Sequence, residues 1–161
     1  MKTWSLAAAA LGAVVLSGGA AVAGEVSVAR GAQVAITSGC HDCHTNGYAE
    51  SGGKIDPAAA LKGTSLGWQG PWGTTYPANL RRVAKEKGSE DAFLQYAKTF
   101  QARPPMPAFN VHAMDESDIR SLYQYIVALG EAGDPVPDYV PPGQEPKTPY
   151  IVIAPPTMPK G

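Results

Sequence analysis

The chain is expected to fold as an all-α domain with long loops and an extended, Pro-rich C-terminal tail. Three observations predict this. Segments at 28–36, 79–87, 89–100 and 116–129 carry helical spacing, caps or both, and each ends at a glycine or a proline pair. No stretch of the chain is convincing as a strand. Nine prolines between Pro135 and Pro159 exclude helix there and favour chain of the polyproline II type.

At the N-terminus, no charged residue follows Met1-Lys2 until Glu25. Leu6 to Leu16 is apolar and alanine-rich, and Ser17 to Ala23 turns to small residues ending Ala21-Val22-Ala23. That order describes a secretory signal peptide cleaved after Ala23. The rival is an uncleaved anchor, since the uncharged run is about long enough to span a bilayer, but its many Ala and Gly residues make it weakly hydrophobic. The expected organisation is therefore a signal peptide at 1–23, one domain at 24–132 and the tail at 133–161. With 13 basic and 14 acidic side chains the net charge is −1. No basic run exists to hold nucleic acid or an anionic membrane surface, and no stable membrane insertion is expected after cleavage.

Val28 to Ile36 suits a short helix, with Gly39 as its stop. It runs into Cys40-His41-Asp42-Cys43-His44, which contains both cysteines of the chain. C-x-x-C-H is the pattern of a c-type haem attachment site. Two thiols at this spacing reach the two vinyl groups on one porphyrin edge, and the next histidine lies under the metal as proximal ligand. A zinc site would want a fourth ligand, and the chain has no second C-x-x-C and no H-x-x-x-H. A thioredoxin-like motif would need a βαβ context that these neighbours lack. Export suits the same pattern, because an oxidising compartment would otherwise pair the two thiols. His41, inside the motif, is expected to point outward.

The loop from Gly63 to Tyr76 sets Trp68, Trp72 and Tyr76 among four glycines and Pro71. Glycines let backbone pass close to a flat cofactor, and the three rings are candidates to cover porphyrin. An indole N–H, the phenol or Arg81 could bond a haem propionate; the plainer reading is a folded loop packing its rings on the core. Asn79 caps the helix running to Lys87, with Gly88 as stop. Ser89 caps the next, where Phe93, Tyr96, Ala97 and Phe100 form one stripe. In the last helix, Glu116 to Leu129, Asp115 is the cap and Asp118 favours the dipole. Ile119, Leu122, Tyr123, Ile126 and Leu129 form its apolar face, Met114 pairs with Ile119 as a hydrophobic staple, and Gly130 ends it.

Helix, C-x-x-C-H, variable loop, one or two helices, a Met loop and a C-terminal helix, in this order over about Val28 to Gly130, resemble a class I monohaem c-type cytochrome of the periplasmic family. The resemblance implies a cytochrome c-like helical domain around one covalent haem c, bound through Cys40 and Cys43 and ligated by His44. It implies that the two terminal helices cross beside the haem, with Gly31 or Ala35 meeting Tyr125. Arg103-Pro104-Pro105-Met106-Pro107 resembles the family's ligand loop, making Met106 the expected sixth ligand to iron; His112, Met114 or an open position are the alternatives. A thioether favours Fe(II) and raises the potential relative to a second imidazole. The function implied is electron transfer without substrate turnover, with a periplasmic dehydrogenase or oxidase as redox partner. The alternatives are a haem subunit of a dehydrogenase complex clamped by the tail, and a haem protein with a labile distal site. Tyr139, Val140 and the run Tyr150 to Ile153 make the tail more apolar than a spacer, so it either wraps the domain, the preferred reading, or docks a partner.

Overall fold

A computed structural model describes residues 24–159; the segment 1–23, on which the signal-peptide reading falls, lies outside them. Helix α1 (Val28–Thr37) starts at Ser27, whose hydroxyl accepts from the Arg30 amide, and Gly39 at φ +69° follows its end. The C-x-x-C-H motif is itself a helical turn, α2 (Cys40–His44). Helix α3 (Leu80–Lys87) is capped by Asn79 accepting from the Arg82 amide, and α4 (Glu90–Thr99) by Ser89 accepting from the Ala92 amide. Short α5 (Ala108–His112) precedes α6 (Glu116–Ala128). Asp115 stands at the N-cap of α6, but its side chain makes no cap bond. Lys98 fixes that approach instead, donating to the carbonyls of His112 (3.3 Å) and Met114 (2.6 Å).

The core lies between α1, α4 and α6. Val34, Ala35, Phe93, Leu94, Ala97, Ile119, Leu122 and Ile126 are buried there, joined by Leu61 and Ala84. Met114 packs against this cluster, as its pairing with Ile119 requires. Helices α1 and α6 cross at Gly31, where an added Cβ would strike the Ser121 carbonyl and the Tyr125 Cβ. Of the two small residues expected at the crossing, Gly31 meets Tyr125 directly, because only a residue without a side chain admits that backbone, and Ala35 is fully buried one turn on. Across the same crossing the Ser27 amide donates to the Ser121 hydroxyl (3.2 Å), and Arg30 forms a two-pronged pair with Asp118 at 2.7 and 2.9 Å.

Helices dominate, as expected, but a small sheet corrects the reading that no strand is present. Strands β1 (Gly67–Gly70) and β2 (Gly73–Thr75) form an antiparallel hairpin, and β3 (Tyr150–Val152), from the tail, pairs parallel to β1. On the outer edge of β2, Val140 exchanges two backbone bonds with Thr74, at 2.8 and 3.0 Å. Strands of three and four residues bounded by glycine show no alternation, and β3 lies far away in sequence, so nothing local announces the sheet. The tail therefore wraps the domain, as preferred, through backbone pairing, but it does not bury its whole apolar run: Ile151 and Val152 remain exposed. Backbone groups of Val140, Pro149 and Ile153 bond to the hairpin, which satisfies that part of an extended segment's polar groups.

Candidate functional site

Helical geometry explains the motif's spacing. Residues three and four apart share a face of a helix, so Cys40, Cys43 and His44 project from one side of α2. Both thiols are unpaired and half-buried. Burial pushes the Cys40 thiol up to about 11 and raises Cys43 as well. Among the described residues, no three His, Cys, Asp or Glu side chains converge as metal ligands.

His44 is buried, and its Nδ1–H donates to the Ala78 carbonyl at 2.7 Å. That bond leaves Nε2 with its lone pair available, and burial lowers the imidazole's affinity for a proton. A neutral ring oriented through its other nitrogen is the form in which histidine binds a metal. The carbonyl is itself firmly placed. Gly63, at φ +74°, donates to the His44 carbonyl at 2.8 Å, and any side chain there would collide with the Pro77 carbonyl and Val136. The side-chain Nδ2 of Asn79 donates to the carbonyls of Ala132 (2.7 Å) and Asp134 (3.0 Å), and the backbone amide of Leu80 to the Leu61 carbonyl (2.9 Å). A backbone carbonyl 34 residues downstream of His44 carries no side-chain signal, so this partner was not legible in the sequence.

His41 corrects an expectation: it is fully buried rather than turned outward. Its ring has Nδ1 2.8 Å from the Thr45 hydroxyl and Nε2 3.4 Å from the Tyr125 hydroxyl. The rings of Tyr48 and Tyr125 flank it at 5.3 and 6.1 Å between centroids. The Thr45 hydroxyl also accepts from the Leu61 amide at 2.9 Å. The His41 partner Thr45 lies one turn on in sequence, but Tyr125 comes from a distant helix, so burial at this position carries no local signal. Arg81 is engaged within the fold. Its buried guanidinium donates to the carbonyls of Ala60, Leu129, Glu131 and Pro57, and so ties the 57–60 turn to the end of α6.

The three candidate rings share the hairpin. Trp68 sits in β1 opposite Thr75, half-buried. Trp72 occupies the turn, and its indole N–H is buried without a partner, the one such side-chain atom among the described residues. Tyr76 follows β2 and places its hydroxyl 2.8 Å from that of Thr148 in the tail. The Met106 turn is brought against this hairpin. Thr75 donates to the Pro104 carbonyl at 2.7 Å, and the Met106 amide donates back to Arg103 at 3.2 Å. Met106 is half-buried and stands outside the core cluster that Met114 joins. His112 is engaged elsewhere: Nε2 lies 3.0 Å from the Phe100 carbonyl, and the ring meets Phe100 edge-on at 5.4 Å. Among the described residues, no hydrogen bond joins the Met106 turn to α2.

The residues present fit a covalently held haem. Two unpaired thiols and an oriented, neutral imidazole occupy one face, and an unsatisfied indole N–H suits a carboxylate acceptor. The family model for Cytochrome c matches residues 28–130. No match is found among curated proteins or among solved structures. Membership of that family implies haem c, and Cys40, Cys43 and His44 supply its attachment motif. The chain thus belongs to the cytochrome c family, proteins that typically carry electrons on a covalently attached haem.

Proposed function

We propose that the protein is an exported single-haem electron carrier, with His44 and Met106 as axial ligands and no substrate turnover of its own. Bound haem would supply a one-electron Fe(II)/Fe(III) couple whose potential depends on ligation, burial and hydrogen bonding. In this reading Cys40 and Cys43 anchor the group, His44 ligates through Nε2, and the Ala78 carbonyl keeps that nitrogen free and aimed. Trp72 offers its indole N–H to a propionate, while Trp68 and Tyr76 cover apolar edge. The observation that carries the choice of Met106 is its place in a turn bonded to the hairpin by Thr75, while Met114 packs in the core and His112 bonds Phe100. The pattern of residues 1–23 supports export to the periplasm, and no helix among the described residues is long and apolar enough to cross a membrane. A periplasmic dehydrogenase or oxidase is the class of partner this implies. The tail's pairing with its own domain favours a free carrier over a subunit clamped to a complex.

The test is optical. Oxidised protein with a thioether on low-spin iron shows a weak charge-transfer band at the red end of the spectrum. The band is expected in the wild type and in Met114→Ala and His112→Ala. It is expected to vanish in Met106→Ala, whose reduced form then binds carbon monoxide readily. A wild type that lacks the band and binds carbon monoxide quickly would replace the carrier by the open-site reading. Replacing both Cys40 and Cys43 by alanine should leave no haem that survives acid-acetone extraction.

A further inference from the structure

Beyond the stretch matched by the family model, the tail reaches back to the turn that carries Met106. Arg103 and Met106 are the two ends of that turn, joined by the Met106 amide to the Arg103 carbonyl. The exposed Arg103 side chain lays its guanidinium over the ring of Tyr139, 3.8 Å from the centroid. Tyr139 is not free to follow it. Its hydroxyl donates to the Trp72 carbonyl at 2.7 Å, and the next residue, Val140, exchanges two backbone bonds with Thr74. Thr75, adjacent in β2, holds the same turn at Pro104. The turn is therefore gripped at Arg103 by the tail and at Pro104 by the hairpin, and the tail fixes the hairpin.

We infer that Tyr139 is a positioning residue for the distal ligand: the tail, through the Tyr139–Arg103 stack, sets how readily the Met106 turn opens. This rests on Met106 being that ligand. An exogenous ligand binds the iron only when the turn is open, so its apparent affinity scales with the open fraction. A cation over an aromatic face stabilises the closed turn, and removing the ring raises the open fraction.

The experiment is an imidazole titration of the oxidised holoprotein, followed by loss of the red charge-transfer band. Tyr139→Leu is expected to keep the band without imidazole and to bind imidazole about tenfold more tightly than wild type. Tyr139→Phe keeps the ring over Arg103 and should stay within about threefold of wild type. Arg103→Gln, at an exposed position, should tighten binding about fivefold, and its combination with Tyr139→Leu should add little, because both remove one contact. A merely structural role for Tyr139 would shift the unfolding midpoint and leave imidazole affinity alone. Tyr139→Leu within about twofold of wild type, or fully additive effects in the double variant, would overturn the inference. If Tyr139→Leu does not accumulate as holoprotein, Arg103→Gln decides by itself, and unchanged affinity there has the same meaning. A wild type that has the band but does not respond to these changes refutes only the role of the tail. A wild type that binds imidazole as tightly as Met106→Ala refutes the ligand assignment and this inference together.

Discussion

The helical half of the molecule, around Gly31, and the hairpin half, around Thr75, are built from different interactions. In the first, α1 and α6 meet with backbone against backbone, and Val34, Ala35, Ile119, Leu122 and Ile126 are buried. In the second, short strands, a Pro-rich tail and a turn are joined mainly by hydrogen bonds: Thr74 with Val140, Thr75 with Pro104, Tyr76 with Thr148, Tyr139 with Trp72. None of those hairpin, turn or tail residues belongs to the main core cluster. Close packing is intolerant of volume and cooperative, whereas individual hydrogen bonds contribute about 1 kcal/mol each. The proximal side of the site is anchored to the rigid half through Cys40, which packs against that core. On the proposed ligation, the distal side, Met106, depends on the adjustable one. A carrier with that ligation would hold its cofactor firmly and leave its sixth ligand open to tuning by residues remote in sequence.

The largest expected effect breaks the rigid half. Gly31→Val would drive a branched side chain into the Ser121 carbonyl and Tyr125, and should cost about 3 kcal/mol or more of stability. Denaturant unfolding of the holoprotein measures it, and the red band should persist until global unfolding. A Gly31→Val protein as stable as wild type would mean that the two helices can separate without loss, and the contrast between halves would fail.

A smaller change sharpens the contrast from the other side. Tyr76→Phe removes the bond to Thr148 and should cost about 1 kcal/mol, while amide exchange in β1 and β3 quickens more than in α1 or α6. Equal acceleration in both halves would show that they open as one unit.

The smallest effect concerns pH. Burial lowers the proton affinity of His41, so its folded form charges only below the usual histidine range, near 6.5, at which the unfolded chain takes up its proton. Between those two values the unfolded state binds more protons. Stability from this residue is thus complete above about 6.5 and declines as pH falls below it. Stability measured from pH 7 down to 5 should fall more steeply in wild type than in His41→Gln. Identical slopes would place the titration elsewhere.

What the sequence determined by itself was the chemistry and most of the helices. Cys40, Cys43 and His44 declare an attachment site because i, i+3 and i+4 share a helical face, a relation that needs no tertiary structure. Ser89 and Asn79 cap, Gly39 and Gly88 stop, and Ile119, Leu122 and Ile126 make a face, because each acts within one or two turns of chain. The placement of His41, Arg81 and the tail was decided only in three dimensions. His41 points inward because Tyr125, on another helix, closes over it. Arg81 is spent on four carbonyls contributed by distant turns, and a carbonyl looks the same in every residue. The sheet exists because β3 returns across more than 70 residues to pair with β1, and backbone pairing between remote segments leaves no local period to read. Short-range physics is written in residue type and spacing; long-range backbone hydrogen bonding is settled only when the chain closes on itself.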